Sequence, residues 1–466
     1  MGSQPMLIRR AELPCGEIAD VRVSGTKIGK IGALAPLPDE TLIEADGGAL
    51  LPGLRDQHLH FLAYAASLES FSCADYDGTD ACIEALHHAP RQANGWVRAV
   101  DFHESMGEIS LAALDRDGPN VPVRIQHRSG RLWILNSLAI DHVKGGAVCP
   151  AFAHGITTGH FYDVDHELGR RLGHTLPDVA RASRSLAAYG IVGFTDMTPT
   201  NSAHEARMFR EWQEAGILLQ DVQLAGRASL TAGPTKVHLH ESDLPPFESL
   251  CQGIKDSHKR GRVVAVHCTT EVELVFTLAA FEEAGVIEGD RIEHASICNE
   301  SCLRTIADLG LMVVTQPNFI AERGDTYLDE IEKSALLDLY RCASFMAADI
   351  PFAIASDAPF GGANPWAVME AATKRVTASG IELTPEERIS PEDALACVTG
   401  SLADPANPLT IHEGADASLV VLDQSWRAIR RSLASACVQL TVKRGEVVHS
   451  IASISPSERA SVAEMS

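Results

Sequence analysis

The sequence predicts an α/β protein built as a (β/α)8 barrel of the TIM type, and three observations predict it. Short apolar, β-branched runs follow one another through the middle of the chain: "GALLPGLRDQH", "IVGFTDMT", "ILLQDVQLAG", "TKVHLHE", "RVVAVHC", "RIEHAS", "LMVVTQPNF" and "PFAIASDAP". Helical patterns separate most of them, among them "DVARASRSLAAYG", "AHEARMFREWQEAG", "PFESLCQGIKDSHKRG", "EVELVFTLAAFEEAG" and "SCLRTIADLG". Several of these helices run into a glycine, at Gly190, Gly216, Gly261, Gly285 and Gly310, the residue that most easily closes a helix. Repeated strand–helix units specify a parallel sheet. Eight of them suit a barrel, although the pattern alone also accommodates a doubly wound open sheet.

The flanking elements read differently. Residues 6–50 hold short strands, as in "DVRVSGTKIGKIG", which alternates and turns at glycines. Near the other end "ADASLVVLDQ" and "VQLTVKRGEVVHS" follow the same pattern. The two ends, 1–50 and 405–450, are therefore expected to pair into one small β domain around a barrel of 51–404. Residues 61–177 separate the first two barrel strands and far exceed an ordinary connecting loop. They are expected to form an inserted subdomain that covers the substrate, since inserts at that end of a barrel commonly build the pocket. The polar tail, 451–466, is expected to be disordered.

Composition excludes some function classes. Of 466 residues, 45% are hydrophobic and 22% charged, which is ordinary for a globular chain. The formal net charge of −23 argues against nucleic acid or an anionic membrane as partner. No stretch reaches the ~18 apolar residues of a membrane helix, and "MGSQPMLIRRAELPCGE" lacks a signal-peptide core. Eleven scattered cysteines without a CxxC pair read as reduced thiols in the cytoplasm. Cys298 and Cys302 fit one helix face and read as packing residues. A small-molecule substrate is the expected partner, and a homo-oligomer the ordinary state of such a chain.

The chemistry lies where the strands finish. His-Leu-His occurs twice, at His58 and His60 and at His238 and His240. Residues two apart on a strand share a face, so either pair could grip a metal ion. The first strand ends in His58 and His60. The fourth carries Lys236, the fifth ends in His267, the sixth in His294 and the eighth in Asp357. Any one of these alone reads as an ordinary structural or solvated residue. Five strands converging with imidazole and carboxylate groups instead suit zinc and similar ions. A free ammonium inside that ring would repel the cations, whereas a Lys236 carbamylated by CO2 would bridge two of them.

These residues carry a family resemblance. Through "LPGLRDQHLH", "TKVHLHE", "VAVHC", "GDRIEHAS", "ASDAP" and "EGADASLVVLD" the chain resembles the amidohydrolase superfamily of metal-dependent hydrolases. The insert, with "GWV", "VPVRIQHRSG" and "NSLAI", is similar to the family 3 branch that includes N-substituted formamide deformylases. The resemblance implies that His58, His60 and Asp357 bind a buried metal, and His267 and His294 a more exposed one. Carbamylated Lys236 and a hydroxide bridge the two ions, zinc first, with manganese, cobalt or iron as alternatives. Asp357 acts as general base and then as proton donor, and the hydroxide attacks a linear or cyclic amide, N-acyl or N-formyl compound. A deaminase of the same fold would use one metal, omit the lysine and place a glutamate shortly after the fifth-strand histidine, where Glu271 stands. An ester or lactone hydrolase would use the same site. A metal-free scaffold is at odds with a complete ligand set.

The remaining site residues are expectations about substrate. His238 would fill the interior of the fourth strand and His240 would stand at the rim, in reach of substrate. Arg131 occupies a position where many members of the branch carry histidine. Its planar fork would grip a substrate carboxylate or polar ring, unless it forms a surface salt bridge. "HES" recurs at His103–Ser105 and His240–Ser242, so His103 and Glu104 are expected to face the metal site, unless the repeat is chance.

Overall fold

The computed structural model describes residues 5–92, 94–146, 149–172, 176–451 and 455–456. The chain divides into two compact units, one of Met1–His60 with Ser183–Ser466 and one of Phe61–Ala182.

Eight strands of the first unit are parallel. They are β1 (Leu54–Leu59), β2 (Ile191–Asp196), β3 (Asp221–Leu224), β4 (Thr235–His238), β5 (Val264–Cys268), β6 (Arg291–His294), β7 (Met312–Thr315) and β8 (Phe352–Ile354). They form a three-stranded sheet, in the order β3-β2-β1, and a five-stranded sheet running from β4 to β8. Main-chain hydrogen bonds link the sheets at both edges. Gly226 N donates to Pro234 O (3.1 Å) and Lys236 N to Gly226 O (2.9 Å). On the other side Asp357 N donates to His58 O and His60 N to Ala358 O, each at 2.8 Å. Val264, Ala265 and Val266 of β5 and Val313 and Val314 of β7 are fully buried, as strands covered on both faces should be.

The helices between them begin and end where the sequence has caps. Ala203–Glu214 and Glu271–Ala284 each start with a capping box, Ser202 with Glu205 and Thr270 with Glu273. Glu300–Leu309 closes at Gly310, whose φ of +67° is the left-handed conformation a side chain would resist. The run "GALLPGLRDQH" forms two strands where one was expected. Leu50–Pro52 pairs antiparallel with Leu419–Leu422, and β1 begins after Gly53. A Cβ on Gly53 would come within 2.6 Å of Val192, so the chain turns from one sheet to the other where only glycine fits.

The two chain ends share one apolar core. A five-stranded sheet is ordered Ser455–Pro456, Thr41–Glu44, Met6–Glu12, Ile18–Ser24, Lys27–Gly32. A four-stranded sheet is ordered Glu446–Ser450, Val438–Lys443, Leu419–Leu422, Leu50–Pro52. Ile8, Val21, Ile28 and Ile43 pack in the same cluster as Leu419, Val421, Leu440 and Val442. Of the tail 451–466, Ile451 and the strand Ser455–Pro456 are described, and the strand pairs with Leu42 and Thr41. The rest of the tail lies outside the described residues.

The second unit has its own sheet, ordered His160–Tyr162, Leu132–Leu135, Val123–His127, Val97–Phe102, Phe71–Ser72. Two clusters make its core, one around Phe102, Leu114 and Ile125 and the other around Trp133, Phe152 and Phe161. Among the described residues no helix is long and apolar enough to cross a membrane.

Candidate metal centre

β1 delivers two imidazoles to one place because its side chains alternate. His58 is buried and His60 follows at the strand end, with ring centroids 5.5 Å apart. Asp357 meets both, its Oδ1 3.4 Å from His58 Nε2 and 3.3 Å from His60 Nε2. Ligand atoms of these three residues lie within 4.8 Å of one another. Asp357 has a φ of +55°, a conformation that disfavours a side chain. Its hydrogen bond to His58 O and those its own carbonyl receives from Phe360 N and Gly361 N hold it there.

The other imidazoles adjoin this group. The His294 ring stands 4.7 Å from that of His58 and 4.5 Å from that of His267. Lys236 is buried in β4, and its charge acts on His58, His267 and His294. Six predicted ligands from five strands thus adjoin one another.

Electrostatics fit a cation site. Burial and then the Lys236 charge hold His58 well below the usual histidine range. Burial and the charge of His294 do the same to His267, and burial lowers His294. Neutral imidazole is the form that coordinates metal. Burial pushes the Asp357 carboxyl up, but the neighbouring His58, His60 and His294 outweigh it and keep the group well below the carboxylate range. Burial lowers Lys236 to about 8. Lys236 Nζ and Asp357 Oδ1 are buried without a hydrogen-bond partner, a costly state unless a further group meets them. The residues present therefore fit divalent cations.

Sequence reasoning missed the groups behind the ligands. Glu293 Oε2 accepts from His58 Nδ1 at 2.6 Å, and Gln316 Oε1 lies 2.7 Å from His294 Nδ1. Thr198 Oγ1 lies 3.3 Å from His60 Nδ1. Asp56, pushed up to about 6 by burial, accepts from the backbone N–H of His58 and Ser356. Strand alternation hides Glu293, because it places neighbours on opposite faces. The φ of +71° at His294 breaks that alternation, and both side chains reach His58.

The second His-Leu-His is arranged opposite to expectation. His238 is exposed and His240 half-buried, with Leu239 buried between them. His238 is the last residue of β4 and shares the face of Lys236, so its ring is open to solvent at the strand end yet feels the charges of Lys236, His240, His294 and His60. Its ring stands 4.3 Å from the His267 ring and 4.5 Å from that of His240, tilted to both. In the second unit the Arg131 fork engages Asp163, Nε to Oδ1 at 2.7 Å and Nη2 to Oδ2 at 2.6 Å, with both side chains about half exposed. Its planar face thus already has a carboxylate. His103 accepts from Arg128 at Nε2 (2.7 Å), and Glu104 accepts from His127 (2.8 Å). His103, Glu104 and His127 are a second grouping of ligand-type side chains, and His127 was not singled out from the sequence.

Parallel strands ending in imidazole, carboxylate and a buried lysine define a metal-dependent hydrolase class of site. The chain belongs to the amidohydrolase family, whose model matches residues 41–449, and it is an enzyme acting on carbon–nitrogen bonds. It is 24% identical over 497 aligned residues to an N-substituted formamide deformylase of Arthrobacter pascens, covering 87% of this chain and 90% of that one. A putative amidohydrolase YtcJ of Bacillus subtilis is 22% identical over 88% of this chain and 91% of its own. A solved metal-dependent hydrolase of Pyrococcus horikoshii, itself uncharacterized, superposes with a TM-score of 0.71 at 17% identity, covering 96% of this chain and 100% of that one.

Proposed function

We propose that this enzyme hydrolyses a linear or cyclic amide, with N-substituted formamides and N-acyl compounds as the first substrates to test. In this reading the eight parallel strands close into one (β/α)8 barrel, supported by the main-chain bonds that link the two sheets at both edges. His58, His60 and Asp357 would hold one divalent ion and His267 and His294 a second, and a carbamylated Lys236 would supply a further carboxylate-type ligand. Zinc suits this mixed nitrogen and oxygen donor set. When bound, such ions supply Lewis acidity, which acidifies water and polarises a carbonyl.

The chain's own residues move the proton. Asp357, held ionised at neutral pH, accepts a proton from the attacking water and passes it to the leaving nitrogen. The water oxygen joins the carbonyl carbon, the C–N bond breaks, and a carboxylic acid and an amine leave. The paired buried orphans, Lys236 Nζ and Asp357 Oδ1, are the single observation that carries the reading. Deamination by the same fold would engage a glutamate after β5, but Glu271 is exposed and hydrogen-bonded to Asn299.

The test is metal analysis of enzyme prepared with zinc and bicarbonate, followed by a screen of formamides, N-acyl amino acids, hydantoins and lactams. Close to two zinc ions per chain and turnover of one class are expected. Lys236→Ala should lose most of the metal and the activity. A Lys236→Ala enzyme that keeps both would sink the bridging-lysine reading.

A further inference from the structure

The imidazoles of the metal centre are backed by groups of different charge. Glu293 is fully buried. One of its oxygens lies 2.6 Å from His58 Nδ1 and the other 2.6 Å from Arg291 Nε, an ion-pair contact outside hydrogen-bond alignment. Arg291 is itself buried and reaches Gln57 O (3.4 Å) and Met197 Sδ (3.0 Å). The carboxylate is thus charge-compensated on one side and hydrogen-bonded to His58 on the other, while its charge reaches His294 only through space. By contrast, His294 is backed by the neutral amide of Gln316 at 2.7 Å, and His60 by the Thr198 hydroxyl at 3.3 Å.

We propose that Glu293 is a positioning residue that fixes His58 as an Nε2 donor and makes the His58–His60–Asp357 position hold its cation more tightly than the His267–His294 position. This rests on the metal-dependent reading above. A carboxylate accepts only, so the proton it meets must sit on His58 Nδ1. The Nε2 lone pair then faces Asp357 and a shared cation. A full negative charge behind an imidazole raises its donor strength more than an amide oxygen does. Asp357 adds a second carboxylate to the same side. Among the described residues the His267–His294 position has no carboxylate ligand of its own, and the group hydrogen-bonded behind His294 is the neutral amide of Gln316, so this position becomes the weaker, exchangeable one. The left-handed backbone at His294 makes the arrangement possible, since it lets consecutive residues of β6 serve the two positions separately.

Competition with a coloured chelator gives the zinc dissociation constants of each position, independently of turnover. The wild-type enzyme should show one tight and one weaker zinc. Glu293→Gln should weaken the tight site by about 10–100-fold, the usual cost of losing such a backing group, and leave the weaker one within about threefold. Gln316→Ala should do the reverse. Glu293→Gln leaves Arg291 buried and unpaired, so the double variant Glu293→Gln/Arg291→Met, which keeps the interior neutral, serves where the single one does not fold. Circular dichroism checks both. Histidine ¹⁵N NMR of the zinc-loaded wild type is an independent measurement, in which the His58 proton should sit on Nδ1. The proposal is overturned if a folded Glu293 variant keeps the tight constant, if Gln316→Ala loosens that same ion, or if the His58 proton sits on Nε2. Any of these leaves the metal-dependent reading intact. A wild-type enzyme that binds no zinc would remove both.

Discussion

If Lys236 is carbamylated as proposed, its burial should make assembly of the centre depend on pH in a calculable way. Carbamylation needs the neutral amine, and burial lowers this lysine to about 8. At pH 7 roughly a tenth of it is then neutral, against roughly 0.04% for an ordinary lysine near 10.4, an advantage of about 230-fold. The direction follows from the depressed value: the reactive form is scarce below pH 8 and dominant above it. The assay starts from enzyme stripped of metal and CO2 by dialysis against chelator at mildly acidic pH. Zinc is then supplied in excess and dissolved CO2 held constant while the pH is varied. The rate at which tightly held zinc is regained should rise about tenfold per pH unit up to about pH 8 and level off above it. A rate that climbs without a break to pH 10 would mean that Lys236 titrates as an exposed lysine. A rate indifferent to CO2 would mean that no carbamate forms.

Other outcomes follow from single side chains. Asp357→Asn should retain much of the zinc, since an amide oxygen still coordinates, but lower kcat by about 10²–10⁴ and remove the basic-group limb of the pH–rate profile. Near-normal turnover would place the general base elsewhere. Arg131→Ala breaks a half-exposed pair with Asp163 and should cost less than about 1 kcal/mol of stability in urea titration, with zinc content unchanged. A larger loss would give that pair a structural role its exposure does not suggest. Leu419→Ala empties a fully buried place in the core shared by the two chain ends and should cost about 2–5 kcal/mol. A loss below about 1 kcal/mol would show that the core reseals.

The parallel sheets and the grouping of His58, His60 and Asp357 were legible because both follow from periodicity. Buried parallel strands read as continuous β-branched runs, and their last residues face the same end. What was illegible depended on single backbone angles. Gly53 divides one apolar run into two strands of different sheets because Val192 leaves no room for a side chain. His238 shares the face of Lys236 but is exposed because β4 ends there and leaves its ring at the open end. Glu293 adjoins a ligand in sequence and should point away from it, yet the left-handed turn at His294 aims both at His58. Arg131 was read either as a grip on substrate or as a surface salt bridge, and the structure shows the salt bridge, to an Asp163 that no local sequence pattern links to it.

The shared core of the chain ends has a consequence during synthesis. Leu50–Pro52 finds its neighbour only at Leu419–Leu422, and that strand in turn needs Val438–Lys443. At 5–20 residues per second, the ribosome takes about 20–80 s to travel from the first of these segments to the last. For that interval Leu50–Pro52 lacks its sheet partner, and the N-terminal strands lack the C-terminal half of their apolar core. The second unit draws its own clusters from a short span of sequence and can complete them while the first unit waits. A ribosome stalled anywhere before Leu440 would therefore leave the N-terminal strands sticky and accessible, and chaperones that shield extended apolar segments should engage this chain early and release it only at termination.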